Sequence, residues 1–305
     1  MGSMFDSQPS LIQGGDDGNP NNNDTHNNSN ATPLILIHDG GGTIFSYYCL
    51  GNLAPPARAV YGIANPRYES GTAWAGGLPE MARAYQEFIK AAIPRGGDVI
   101  IGGWSLGGLI ALEIAGQLEA EAAAEKEEKK SVNLIGIVMV DSVCPVVVPG
   151  QPAVPVVQHA VQWSKHTKQE TKDKVTRCFT EARRMAGEWE LPRVWGSPEE
   201  DGEGKDGVAA SSTAAKRPPP VVLLRATEPV PVPEGSDGVS RVDVHRSDRL
   251  LGWGNYRKDL ITKVIDIPGH HFSIFHTEAT LESTTEGIKR ACLEIEAMDS
   301  GRLFA

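Results

Sequence analysis

The chain has 305 residues, 40% of them hydrophobic, enough to bury one large core. Its formal charge of −10 argues against nucleic acid or an anionic membrane as partner, since both need clustered Lys and Arg. Four cysteines (Cys49, Cys144, Cys178 and Cys292) stand far apart without a CxxC pair, which fits free thiols in a reducing compartment rather than a metal or disulfide framework.

Residues 1–32 are rich in Asn, Asp, Gly and Ser and poor in large apolar side chains, so the expectation is a disordered arm followed by one domain over 33–305. The domain opens with the apolar run Leu34-Ile35-Leu36-Ile37, stopped by Asp39-Gly40-Gly41-Gly42, which predicts a buried strand entering a tight turn. Similar short runs at 59–63, 98–102, 134–140, 221–224 and 263–267 predict further strands. Helical patterns at 79–92, 106–124 and 280–298 separate or follow them. Apolar strands alternating with amphipathic helices indicate an α/β fold with a mostly parallel central sheet covered by helices on both faces. The charged Ala/Glu/Lys run at 120–131 reads as a solvated extension of the preceding helix. Residues 145–217 are too long for a simple connection and read as a lid insertion, with two helices over 155–187 and a mobile polar loop over 197–216. No apolar run reaches membrane-spanning length and no signal sequence opens the chain, so the expected location is cytoplasmic, with no membrane partner.

The strand at 98–102 runs directly into Gly103-Trp104-Ser105-Leu106-Gly107-Gly108 and then a helix. G-x-S-x-G at a strand–turn–helix junction is the arrangement of a nucleophile elbow, which makes Ser105 the candidate nucleophile. The turn is cramped, so side chains two before or two after the serine would strike the neighbouring strand and helix. Ser105 also stands at a helix N-terminus, where unpaired N–H groups favour developing negative charge.

A serine needs a base to take its proton. Among eight histidines, the informative pair is His270 and His271, directly after the last strand, in Pro268-Gly269-His270-His271-Phe272. Spacing alone does not choose between them. The base in turn needs an orienting carboxylate, and Asp141 and Glu228 each close an apolar strand. Both stay open on geometry alone. The oxyanion is expected to meet the backbone N–H of Leu106 and, from the loop after the first strand, that of Gly40.

Assembled in order, these residues resemble the thioesterase domains that end polyketide synthases and nonribosomal peptide synthetases, especially the fungal polyketide branch, within the α/β-hydrolase superfamily. The resemblance is carried by Leu36 to Gly42 with Ser46-Tyr47, by Gly103 to Gly108, by Val140-Asp141-Ser142-Val143-Cys144-Pro145, by Leu251-Gly252-Trp253 and by Ile267 to Phe272. It spans about residues 33–298. It implies Asp141 as the acid, His271 as the base and a helical lid after the acid. It also implies acyl transfer from the phosphopantetheine thiol of an acyl carrier protein to the serine, then to water or an internal nucleophile, without a cofactor or metal of the enzyme's own. Two departures accompany it: the interval from Ser105 to Asp141 is longer than the family's, and no carrier domain precedes the hydrolase part. The expectation is therefore either a free-standing enzyme acting in trans on an acyl carrier protein or polyketide synthase, or an excised piece of a larger synthase. A carboxylesterase or lactonase on a free metabolite ester, and a non-catalytic hydrolase-like binding protein, are the competing readings.

Overall fold

The computed structural model describes residues 8–14, 31–53, 58–124, 132–146, 155–157, 163, 165–195 and 217–302. In chain order the elements are β1 (Ser10–Gln13), β2 (Leu34–Ile37), α1 (Phe45–Tyr48), β3 (Val60–Ile63), α2 (Gly77–Ala92), β4 (Gly97–Trp104) and α3 (Leu106–Ala124). After these come β5 (Val132–Val140), β6 (Val156–Val157), α4 (Gln169–Glu188), β7 (Val221–Ala226), β8 (Val239–Ser240), β9 (Ile261–Ile267) and α5 (Glu278–Arg302). The six domain strands and three long helices expected from periodicity are all present.

Seven strands form one sheet in the order β1-β3-β2-β4-β5-β7-β9. All its pairings are parallel except that of β1 with β3. All four residues of β2 are buried, as a central parallel strand covered on both faces requires. Alternation then divides the core: Ile35 and Ile37 face the layer of α2 and α3, while Leu34 and Leu36 face that of α1 and α5. The chain passes from β2 outward to β3 and then back to β4 on the other side of β2. The loops leaving β2 and β4 therefore adjoin at a switch point on the carboxyl edge, where open α/β sheets bind their ligands.

Two expectations need correction. Residues 8–14, inside the arm expected to be disordered, include β1, an ordered edge strand. Gly62 leaves room for Ile12, whose Cδ1 would lie 2.7 Å from a Cβ at that position. The Gln13 side chain donates to Leu50 O and Gly51 O at 3.0 and 2.9 Å and accepts from Leu53 N at 3.2 Å. A short strand thus finds enough partners in a segment whose average composition is polar. The rest of the arm, 1–7 and 15–30, lies outside the described residues. In the insertion, the described part of 155–187 holds one long helix, α4, rather than two. Val156–Val157 instead pairs in parallel with Val239–Ser240, a use of β-branched residues that helical periodicity does not register. The first part of the expected helix extension, 120–124, belongs to α3; its remainder, 125–131, and the expected polar loop at 197–216 are outside the described residues.

Helix α4 is pinned to the body along its length. Glu181 accepts from Trp74 N at 2.9 Å, Arg184 donates to Trp74 O at 2.8 Å, and Arg177 donates to Tyr68 O at 2.8 Å. Just past its end, Trp189 Nε1 donates to Glu113 Oε2 of α3 at 2.8 Å. Among the described residues no helix is long and apolar enough to cross a membrane.

Candidate active site

Ser105 follows the last residue of β4 and precedes the first of α3, with φ +56°, a left-handed conformation that L-residues rarely take. Its N–H donates to Val140 O at 2.9 Å and its carbonyl accepts from Gly108 N at 3.3 Å, which holds the turn. The flanking glycines are demanded by space. A Cβ on Gly103 would lie 2.4 Å from Ile37 O and 2.9 Å from Gly107 Cα; one on Gly107 would lie 2.4 Å from Ile37 O and 3.0 Å from His38 O. The end of β2 therefore rests against the elbow, bringing the Asp39–Gly42 loop to Ser105's turn.

Asp141 lies one strand over. Trp104 is in register with Val140, so the residues that follow them, Ser105 and Asp141, leave adjacent strands at the same edge. Asp141 is fully buried and also left-handed, at φ +47°. His271 follows β9, is buried, and donates from Nδ1 to Asp141 Oδ2 at 2.8 Å. A carboxylate only accepts, so this bond puts the proton on Nδ1 and leaves Nε2 as the basic nitrogen. The Trp104 ring, next to Ser105 in the chain, is centred 5.5 Å from the His271 ring, which sets the imidazole beside the elbow.

The members of each open pair have different surroundings: His271 meets Asp141, and the other two do not share that bond. Glu228 is exposed; its Oε1 accepts from Gly269 N at 3.2 Å, bracing the histidine loop. His270 accepts at Nδ1 from Phe272 N and takes no part in the Asp141 bond. His276 is exposed.

Both expected oxyanion donors sit at the switch point. Leu106 opens α3, and the first N–H of a helix has no acceptor within it. Gly40 is buried under α4, where a Cβ would come within 3.0 Å of the Phe179 ring. The loop's shape is set by its neighbours. His38, buried, has its pKa lowered to about 4 by desolvation. Its Nδ1 lies 2.6 Å from Asp39 O, a carbonyl that only accepts, so its Nε2 accepts from Tyr85 OH at 2.6 Å. Asp39 accepts from Gly41 N at 3.1 Å, and burial raises its pKa to about 7. Tyr47 OH donates to Ile37 O at 2.7 Å and accepts from Trp104 N at 2.8 Å, tying β2 to β4.

Arg246 and Asp243 escaped the sequence reading. Burial raises the pKa of Asp141, but bonds from Arg246 and then His271 outweigh it and hold the carboxyl at about 2. The arginine lies 105 residues beyond the aspartate. The only local signal was an Asp and an Arg three residues apart in a polar segment. The Leu251-Gly252-Trp253 motif also gains a physical role: Trp253 Nε1 donates to Ser142 O at 2.8 Å and Leu251 O accepts from Cys144 N at 3.0 Å, clamping the chain after Asp141. A cavity of about 480 Å³ opens between α4 and residues 65–74, with Asn65, Arg67, Trp74 and Arg177 in its wall; Ser105, Asp141 and His271 do not line it. Cys49, Cys144, Cys178 and Cys292 are free thiols, and Cys49 alone of them is exposed.

A buried histidine oriented by a carboxylate, beside a strained serine turn at a helix N-terminus, can activate a hydroxyl for attack on an acyl carbon. The Thioesterase domain family model matches residues 32–146. Thioesterase frbD of Dothideomycetidae sp. (strain 11243) is 36% identical over 280 residues, covering 89% of this chain and 93% of its own length. Nonribosomal peptide synthetase imqB of Aspergillus flavus is 30% identical over 95% of this chain, matched through 8% of its own length. Among solved structures, the NocB thioesterase domain in covalent complex with a fluorophosphonate nocardicin G analog superposes with a TM-score of 0.52 at 21% identity, covering 85% of this chain and 94% of that one. That likeness establishes the α/β-hydrolase-type fold. With a thioesterase 36% identical across almost the whole of both sequences, this chain belongs to the thioesterase family.

Proposed function

We propose that this enzyme is a serine thioesterase that takes a polyketide-like acyl chain from the phosphopantetheine thioester of a carrier protein, acting in trans, and releases it by hydrolysis or cyclisation. Ser105 Oγ attacks the thioester carbonyl carbon while its proton passes to His271 Nε2. The carbonyl oxygen, now negative, accepts from the N–H groups of Gly40 and Leu106. The C–S bond then breaks and the departing thiolate takes the proton from His271. Water, or a nucleophile within the acyl chain, repeats the sequence on the Ser105 ester and restores the serine. Asp141 holds the imidazole in the required tautomer and stabilises it when protonated. Acyl transfer of this kind needs no metal or cofactor of the enzyme's own; the pantetheine arm belongs to the partner. The cytoplasm, where carrier proteins are loaded, is the setting proposed.

The observation that carries this reading is the 2.8 Å bond from His271 to Asp141, next to the Ser105 turn. Intact-mass measurement tests it, with the protein offered carrier-bound acyl chains and, separately, simple esters. The expected result is an acyl adduct from the carrier, lost in Ser105→Ala; product masses then distinguish hydrolysis from ring closure. Adducts from free esters alone would make the enzyme a carboxylesterase or lactonase. Absence of any adduct, together with no labelling by a fluorophosphonate, would leave a binding protein.

A further inference from the structure

Asp141 has about four acceptor positions, and all are occupied. Oδ1 takes Ala226 N at 2.9 Å and Arg246 Nη1 at 2.6 Å; Oδ2 takes Arg246 Nη2 and His271 Nδ1, both at 2.8 Å. The guanidinium therefore grips the carboxylate with both prongs, the geometry that fixes a carboxylate's plane as well as its place. Arg246 is equally saturated. Its remaining N–H groups reach Ala226 O at 2.8 Å, Val242 O at 3.2 Å and Asp243 Oδ1 at 2.8 Å, so all five are used. Its side chain is 8% exposed. Asp243 is buried too, and its other oxygen accepts from Val230 N at 2.7 Å.

We infer that Arg246 is a positioning residue of the acyl-transfer reaction, holding the Asp141 carboxylate in the plane that His271 requires and taking a share of its charge, with Asp243 as the balancing carboxylate. The inference rests on the Ser105–His271–Asp141 reading above. The charge count explains why both extra residues are present. With His271 neutral, Asp141, Arg246 and Asp243 sum to one negative charge. When His271 accepts the serine proton the cluster becomes neutral. Without Arg246 the resting cluster would hold two buried negative charges, and His271 would bind its proton too tightly to return it to the leaving group. Without Asp243 the protonated cluster would be positive, and the base would be weak. His270 stands beside this cluster, within electrostatic reach of Asp243 and His271 and also of Glu228, two residues past β7, and His276 on its own loop.

The pH dependence of the rate at which a fluorophosphonate labels Ser105 tests this, because that profile reports the base of the free enzyme. Arg246→Gln is expected to move the midpoint of the rise to higher pH by about one unit, and to lower the plateau roughly 10- to 100-fold. Asp243→Asn is expected to move the midpoint the opposite way. Arg246→Lys, which keeps the charge but loses the fork, should hold the wild-type midpoint with a lowered plateau. Wild-type midpoints in Arg246→Gln and Asp243→Asn, with losses confined to the melting temperature, would reduce Arg246 to a structural pin and overturn the inference. Should Arg246→Gln fail to fold, a lowered midpoint in Asp243→Asn together with a lowered plateau at the wild-type midpoint in Arg246→Lys supports the inference, and a wild-type midpoint in the first with a wild-type plateau in the second overturns it. The underlying reading fails by a separate sign: labelling of Ser105→Ala, or a wild-type labelling rate in Asp141→Asn.

Discussion

At the scale of single residues, Asp141 and Glu228 differ in what surrounds them rather than in their chemistry. Both follow strands at the carboxyl edge, but Asp141 is buried with its Oδ2 accepting from His271, whereas Glu228 is exposed and accepts from the Gly269 backbone. Asp141→Asn is therefore expected to lower turnover by about 10³- to 10⁴-fold, because the amide presents a donor where the imidazole N–H needs an acceptor. Glu228→Gln keeps an acceptor for Gly269 and should leave turnover close to wild type. Steady-state kinetics on a thioester substrate check this, and the reverse ranking would transfer the acid's role to Glu228. The glycines of the elbow have the same local character. Gly103 and Gly107 are required by the carbonyls of Ile37 and His38, so the motif records a collision avoided between β2 and α3.

Among the elements, β1 is the most separable. It is a four-residue strand at one edge of the sheet, held through Ile12 against Gly62 and through Gln13 against Leu50, Gly51 and Leu53. Deleting residues 1–14 would uncover β3, whose unpaired backbone groups become a template for another chain. The expected outcome is a lower thermal midpoint with increased association, read by calorimetry and light scattering. A truncated protein that melts like the full chain and scatters no more would show that β1 adds nothing. The opposite edge is protected differently: β9 turns Lys263 and Asp266 outward, where they pair with Glu294 and Arg225. Helix α4, by contrast, is anchored to Trp74 and lies over the Gly40 loop. A change in its packing therefore acts directly on the Gly40 loop, the proposed oxyanion side of the site.

For the whole molecule, burial of His38 and Asp39 produces opposing pH responses. His38 is held at about 4 against 6.5 when unfolded, so the unfolded chain binds more protons in that window and stability rises with pH from about 4 to 6.5. Asp39 stands at about 7 against 3.8, so the folded chain binds more protons and stability falls as pH rises from about 4 to 7. Across the shared window the two offset each other. Asp39→Asn removes the falling part, and urea midpoints are expected to climb more steeply than wild type from pH 4 to about 6.5 and then to stay level to pH 7. A variant slope equal to the wild type's would show that Asp39 ionises freely in the fold. Asp141 acts lower: its contribution is present above 3.8 and is lost as pH falls through about 2.

Periodicity by itself placed six strands and three helices, because a parallel strand buried on both faces must be continuously apolar and its covering helices amphipathic. The serine turn was equally legible, since its glycines answer clashes between segments that adjoin wherever a strand passes into a helix beside β2. That His271 rather than His270, and Asp141 rather than Glu228, share a hydrogen bond was not legible in the sequence, because adjacent side chains differ in which way the backbone turns them and two strand ends look alike until the sheet is assembled. Arg246 was beyond reach of any local pattern: its pairing with Asp141 spans 105 residues and exists only because β5, β7 and the segment after β8 converge at one edge. Composition likewise concealed β1, whose stability comes from partners at Gly62 and Leu50 rather than from its own segment. The chemistry of turns and faces is written in neighbouring residues; the charge balance around Asp141 depends on distances that only the packed sheet determines.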